Sequence, residues 1–210
     1  MSANSDTNPG DFRSAECIEF LKEADVVVTN PPFSLFREYV KQLMDYGKKF
    51  LIIGNMNAIT YKEIFPYIKN DELWLGVSPR GFEFICPNGE TASVNSVWFT
   101  NIEHKKRNTP LDLYKKYSNE YPKYDNYDAI EVSKVCDIPM DYDGIMGVPI
   151  TFLDKYCPAQ FEIVGMAAGN SAINNFGSVA NYKRHEKDRG GCGVVNGERT
   201  YARFLIKNAS

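Results

Sequence analysis

The chain has 210 residues, enough to bury one sound core, or one domain with a small appendage. It is 43% hydrophobic and 24% charged, an ordinary globular balance, and its formal net charge of −3 argues against a globally basic nucleic-acid binder while leaving room for a local basic surface. No apolar run approaches the ~20 residues of a membrane span, and Met1 to Pro9 is polar, which reads as a flexible leader over residues 1–9 and not a signal peptide. Five scattered cysteines without a Cys-x-x-Cys, and only two histidines, His104 and His185, speak against a metal site or a disulfide framework. Reduced thiols in a cytoplasmic protein are the simplest account.

After Gly10-Asp11-Phe12 a helix is expected over 14–23, with Cys17, Ile18, Phe20 and Leu21 facing a core. Residues 24–33 then read Ala-Asp-Val-Val-Val-Thr-Asn-Pro-Pro-Phe, a short buried strand that stops at Asn30-Pro31-Pro32-Phe33. Neither proline can donate to a β-ladder, and Pro31 restricts Asn30 to extended geometry. A polar amide is thereby held at the carboxyl end of a strand, where open α/β sheets place their ligands. The Asn30 side-chain oxygen and the Pro31 carbonyl are both acceptors, suited to grip the two hydrogens of a planar amino group. Phe33 offers a flat face on which a base stacks, worth roughly 1–3 kcal/mol. The same residues also make a strand-to-helix turn, with Ser34 as N-cap of an amphipathic helix over 35–46 that carries Leu35, Phe36, Tyr39, Val40 and Leu43.

Gly47 suits the end of that helix, and Phe50 to Gly54 forms the next strand, which the strand–helix–strand order makes parallel to the first. Residues 58–69 look helical, shortened or kinked by Pro66. Leu73 to Leu75 is a short strand. Phe82 to Cys86 and Val94 to Asn101 are two strands around the turn Pro87-Asn88-Gly89-Glu90, an antiparallel hairpin. Residues 103–128 interleave Lys with Tyr, which fits either a nucleic-acid backbone track or a solvated linker, and residues 128–143 are acidic and irregular. Strands follow near 148–153, 161–165 and 200–207. Between them, Ser171 to Gly193 lacks apolar periodicity and reads as a mobile loop. Its cations Lys183, Arg184, Lys187 and Arg189 are either DNA contacts or a surface excursion.

Asn30-Pro31-Pro32-Phe33 resembles the catalytic motif of S-adenosylmethionine-dependent amino-methyltransferases, above all the adenine-N6 DNA methyltransferases. Gly10-Asp11-Phe12 with its short helix resembles the acidic motif that contacts the cofactor's adenosine. The run from Gly10 through Asn55, together with Gly147 to Tyr156, resembles the EcoRI-type modification methylases, and the likeness covers most of residues 10–101 and 144–208. The resemblance implies an α/β fold: a partial Rossmann-like methyltransferase sheet of parallel strands with flanking helices that ends in an antiparallel hairpin, plus a β-rich C-terminal region. The expected organisation is a catalytic core over 10–102, a linker over 103–143 and a β-rich, DNA-contacting segment over 144–210.

The implied activity is methyl transfer from S-adenosylmethionine to a flipped adenine in double-stranded DNA, as in restriction-modification systems, without a metal. Asn30, Pro31, Pro32 and Phe33 would carry the chemistry, and Asp11 and Phe12 would hold the cofactor. Transfer to RNA or to a protein amide, and a non-catalytic remnant that binds DNA or a partner, are the competing readings. The family's glycine-rich cofactor turn is not seen upstream of Gly10, and Gly165 to Gly169 is the nearest pattern. The implied sheet leaves Val26 to Val28 on an open edge. The C-terminal strands, self-association or a missing N-terminal portion would cover it.

Overall fold

Lys49–Asn55 forms β2, a strand whose side chains alternate between a buried face and a half-buried one, with Phe50, Ile52 and Gly54 inward. β1 (Val26–Thr29) pairs with it in parallel, Val26 opposite Lys49 and Thr29 opposite Ile52, as the strand–helix–strand order predicts. The computed structural model describes residues 10–77, 81–172 and 180–209 of the chain. It is a mixed α/β protein whose described residues fall into two units. One lies within Met1–Ile64 and Glu72–Ile102, the other within Phe65–Asp71 and Glu103–Ser210. The chain therefore leaves the first unit at Ile64, returns at Glu72 and leaves again at Ile102.

In the first unit the sheet order is β1-β2-β6-β3, where β3 is Trp74–Leu75 and β6 is Ser96–Thr100, and both of the last two pairings are antiparallel. α1 (Ala15–Glu23) is capped by Ser14, whose hydroxyl accepts from the Cys17 N–H at 3.2 Å. Only Leu21 of α1 is buried, and Phe20 is 63% exposed, so the expected inward face is narrower than its apolar residues imply. α2 (Phe36–Asp45) packs Phe36, Val40 and Leu43 onto the sheet. Gly54 must stay bare, because a Cβ there would collide with the rings of Phe36 and Phe99.

Ser34 does not cap α2. The prolines lead into a single tight turn over Phe33–Leu35, in which Leu35 N–H donates to the Pro32 carbonyl at 2.9 Å, and Leu35 becomes the uncapped first flank. The C-terminus of α2 ends as expected. Gly47 has φ +61, its N–H donates to Met44 O, and Lys48 N–H donates to Leu43 O, which is a Schellman closure.

The expected helix over 58–69 is two pieces: a 3-10 turn at Met56–Thr60 and α3 at Phe65–Lys69. Pro66 sits in the first turn of α3, where its missing N–H costs nothing. The hairpin around Pro87 to Glu90 is present as β4 (Phe82–Ile85) with β5 (Thr91–Val94). Its second strand is not the expected Val94 to Asn101 but the preceding Thr91–Val94; the two form a separate two-stranded sheet, and after Asn95 the expected strand runs as β6 in the main sheet.

The second unit holds a sheet in the order β7-β8-β12-β9, formed by Ala129–Glu131, Ile145–Pro149, Arg203–Asn208 and Phe161–Ala167. α3 joins this unit, and Phe65 stacks on Phe204 with ring centroids 6.1 Å apart. Residues 128–143, expected to be irregular, contain β7 and the buried Ile130 and Glu131. The expected strand over 148–153 gives way after Pro149 to a 3-10 segment, Ile150–Lys155. Gly165 lies inside β9 opposite Leu205, so it opens no cofactor turn. The Tyr124 ring packs against the bare Cα atoms of Gly147 and Gly193, and its hydroxyl donates to Glu131, a carboxylate that Arg203 also grips at 2.7 and 2.9 Å. β10 (Val194–Val195) and β11 (Glu198–Arg199) form a tight hairpin across Asn196-Gly197, both with positive φ.

Candidate active site

The first unit carries a cavity of about 720 Å³, a volume suited to a nucleoside-sized ligand. It runs along β1 and reaches past its carboxyl end. Asn30, Pro31 and Pro32 line it together with Asp11 and Phe12, so five of the six residues named from the catalytic and acidic motifs share one space. Pro31 is buried and Asn30 exposed, and among the described residues nothing hydrogen-bonds the Asn30 amide. The sixth, Phe33, is half-buried outside the lining. Its ring meets Phe84 of β4 edge-on, centroids 6.4 Å apart and planes at 85°. Phe84 in turn contacts Phe82, which contacts Trp98 of β6, so the hairpin brings a row of rings up to the motif.

Asp11 is held by Arg13. The Arg13 backbone N–H and Nε donate to Oδ1, each at 2.9 Å, and Nη2 donates to Oδ2 at 2.7 Å. Three of roughly four acceptor positions of the carboxylate are thereby occupied, and one remains for a ligand. The side-chain bond from Arg13, with its backbone bond, holds the Asp11 carboxyl down to about 2. Phe12 is fixed from three sides. Tyr39 meets its ring edge-on at 5.0 Å, the Arg13 guanidinium lies 5.2 Å from its centroid, and Gln42 Nε2 donates to its carbonyl at 3.0 Å. Burial raises the Tyr39 phenol, with the Cys17 thiol adding to the effect.

Sequence reasoning missed Tyr39, Gln42 and Arg13 as neighbours of the site, and Phe84 as the ring beside Phe33. α2 shows what was legible: Phe36, Val40 and Leu43 face the core, while Leu35, Tyr39 and Gln42 repeat at helical spacing one stripe over and line the cavity.

β1 is the outer strand of its sheet, and no described strand pairs with its far side. Val28 is 64% and Val26 48% exposed, so the strand is not buried as its valines suggested. The C-terminal strands build their own sheet and pair with no strand of this one. In the second unit, Lys183, Arg184, Lys187 and Arg189 are all exposed on one loop. The described part of that loop is held by hydrogen bonds, a buried one from the Tyr127 hydroxyl to Gly191 O and part-buried ones from the His185 and Gly190 N–H groups to Asp188. Residues 173–179 lie outside the described residues. Among the described residues no cluster of His, Cys, Asp or Glu is placed to hold a metal, all five cysteines are free thiols, and no helix is long and apolar enough to cross a membrane.

A ligand-sized cavity at the end of a parallel strand, rimmed by a free amide and an ionised carboxylate, lies where proteins of the open α/β-sheet class place their ligands. The family model described as adenine-specific methyltransferase EcoRI matches residues 3–209, and the chain belongs to that family. It is 47% identical over 229 aligned positions to the Type II methyltransferase M.EcoRI of Escherichia coli, an alignment that covers 99% of this chain and 65% of that protein. The Type II methyltransferases M.MgeORF184P of Mycoplasma genitalium and M.MpnI of Mycoplasma pneumoniae are 39% and 38% identical. Each alignment covers 94% of this chain, and they span 69% and 68% of those relatives. The chain thus spans about two thirds of the length of the curated relatives it matches. No solved structure matches it significantly.

Proposed function

We propose that this chain carries the catalytic motif and a DNA-contacting portion of an S-adenosylmethionine-dependent adenine-N6 DNA methyltransferase of the restriction-modification type. The observation that carries the reading is the convergence of Asn30 and Pro31 with Asp11 and Phe12 on one cavity, in a member of this family. On this reading the first unit is part of a Rossmann-like methyltransferase sheet.

The lining fits the methyl donor chemically. Asp11 is an ionised acceptor with one free position, and Phe12 and Tyr39 give apolar walls for a purine and its ribose. S-adenosylmethionine, when bound, supplies an electrophilic methyl group. The protein's part is positional. The Asn30 side-chain oxygen and the Pro31 carbonyl accept the two hydrogens of the adenine amino group, which withdraws the nitrogen lone pair from the ring and leaves it nucleophilic. Asn30 is free to do so, because nothing in the described fold satisfies its amide. Phe33 stacks on the base, and Phe84 fixes the tilt of the Phe33 ring. Extruding adenine from the duplex costs a few kcal/mol, which stacking and the amino clamp offset. Holding both reactants in line then supplies most of the acceleration.

Lys183, Arg184, Lys187 and Arg189 contact the DNA backbone in this reading. The open edge of β1 accepts a further strand, from a second copy or from polypeptide equivalent to the rest of the relatives' length. That strand closes the cavity.

The test is methyl transfer from labelled S-adenosylmethionine to duplex DNA, RNA and protein, with cofactor binding followed by calorimetry. Asn30→Ala should abolish transfer to DNA and leave cofactor affinity within about twofold. Undiminished transfer in that variant, or transfer to RNA or protein in place of DNA, overturns the reading. Absence of cofactor binding up to millimolar concentration would show that this chain does not act alone.

A further inference from the structure

The loop that carries the four cations is built around a buried carboxylate. Asp188 is 2% exposed, and its Oδ2 accepts from the Tyr182 hydroxyl at 2.5 Å and the His185 N–H at 2.9 Å, while Oδ1 accepts from the Gly190 N–H at 2.7 Å. Burial pushes this carboxyl up, and the bonds from Tyr182, His185 and Gly190 outweigh burial and leave it lowered, so it stays charged. The loop is tied at both ends. Lys183 N–H donates to Asn126 O at 2.9 Å, Asn126 Nδ2 donates to Cys192 O at 2.8 Å, and the Tyr127 and Ser171 hydroxyls both donate to Gly191 O.

Arg189 sits inside this frame with φ +52, the left-handed region that a side chain with a Cβ disfavours. The frame holds it there: Asp188 grips the next N–H, at Gly190, and Asn170 N–H donates to the Arg189 carbonyl at 3.3 Å. A loop that only connects two strands has no use for arginine at such a position, since glycine adopts it without steric cost. The strain places a cation. Arg189, Arg184, His185 and Tyr182 line a shallow cavity of about 580 Å³ together with the carboxylates Glu186 and Asp188. Among the described residues no carboxylate pairs with Lys183, Arg184 or Arg189, whereas Lys187 reaches Glu198 at 3.2 Å. Glu186 is the one exposed carboxylate in the loop.

We infer that residues 182–191 form a preorganised grip for the duplex phosphate backbone, in which Arg189 and Arg184 make the phosphate contacts and Asp188 is the positioning residue that sets the loop's shape. The inference rests on the DNA reading above. A backbone already held in place loses little entropy when its unpaired cations meet a phosphate, and Arg offers it a bidentate fork.

Arg189→Gly separates the contact from the fold, because it removes the cation and the backbone strain together. With the full chain, anisotropy of a labelled mixed-sequence duplex should show about tenfold weaker binding, and a plot of log affinity against log salt shallower by about one. The thermal midpoint should hold or rise. Asp188→Asn should flatten the salt plot by about two, since both arginines lose their places, with S-adenosylmethionine affinity unchanged. If the parent chain binds duplex and Arg189→Gly binds it equally, with the same salt slope, the grip is wrong and the DNA reading stands. If the parent chain does not bind duplex, or prefers single-stranded RNA, the DNA reading fails and the grip with it.

Discussion

Arg13 closes a fork on Asp11, donating from Nε to Oδ1 at 2.9 Å and from Nη2 to Oδ2 at 2.7 Å. The fork fixes the charge state of the carboxylate proposed to receive the cofactor. With the folded value near 2 and the ordinary one at 3.8, the pairing contributes its full stability above pH 3.8 and loses it as pH falls through about 2. Carbon-13 titration of the Asp11 carboxyl should give a midpoint near 2, and Arg13→Ala should raise it toward 3.8 without reaching it, because the backbone N–H of residue 13 still donates to Oδ1. An unchanged midpoint in the variant would remove Arg13 as the cause.

Phe84 touches Phe33 and not the cavity lining. Phe84→Ala should therefore lower kcat/KM for DNA methylation by about tenfold, through a looser stacking ring, within the 1–3 kcal/mol of one base–aromatic contact. Cofactor affinity should not move. Parallel losses in cofactor and DNA binding would indicate a general collapse of the hairpin instead.

In the second unit Arg203→Met leaves Glu131 buried without its cation, with only the Tyr124 hydroxyl still bonded to it. Breaking one side of a buried pair costs about 3–5 kcal/mol. Denaturant unfolding should show a loss of that order, and the double variant Glu131→Gln with Arg203→Met should recover part of it. A loss below about 1 kcal/mol would mark the pair as solvated.

The exposed valines of β1 make a concentration-dependent prediction. Light scattering should detect association of the chain, and Val28→Lys should reduce it, since a charge on an edge strand blocks strand addition. The substitution lies at an exposed site and should change stability by no more than about 0.5 kcal/mol. A clean monomer with slow amide exchange at Val26 to Val28 would rule out pairing with a second copy.

The motif and its setting were legible because local rules agree there: three β-branched residues, two prolines and an amphipathic helix closed by Gly47 all point to one strand–turn–helix. Asp11 and Asn30, nineteen positions apart, line one cavity. What stayed hidden depends on non-local pairing. Nothing local tells Val94 to Asn101 to break at Asn95 and change sheets, or Phe20 to remain exposed. The hydrogen bonds that shape the loop around Asp188 come from one carboxylate and a few tyrosines, which leave no periodic trace. The Asn196-Gly197 hairpin was readable in principle, since Asn-Gly is the strongest short hairpin signal, and it went unused.

The threading of the chain has a consequence for inheritance. Because Phe65–Asp71 belongs to the second unit while the residues on both sides belong to the first, no single cut in the gene separates the two. A recombinant joined at 102/103 would receive a second unit stripped of α3, without Phe65 against Phe204 and without Asp71 as partner for Arg107. Exchange of one unit between relatives therefore needs coordinated breakpoints, and the two units should descend together as a linked block.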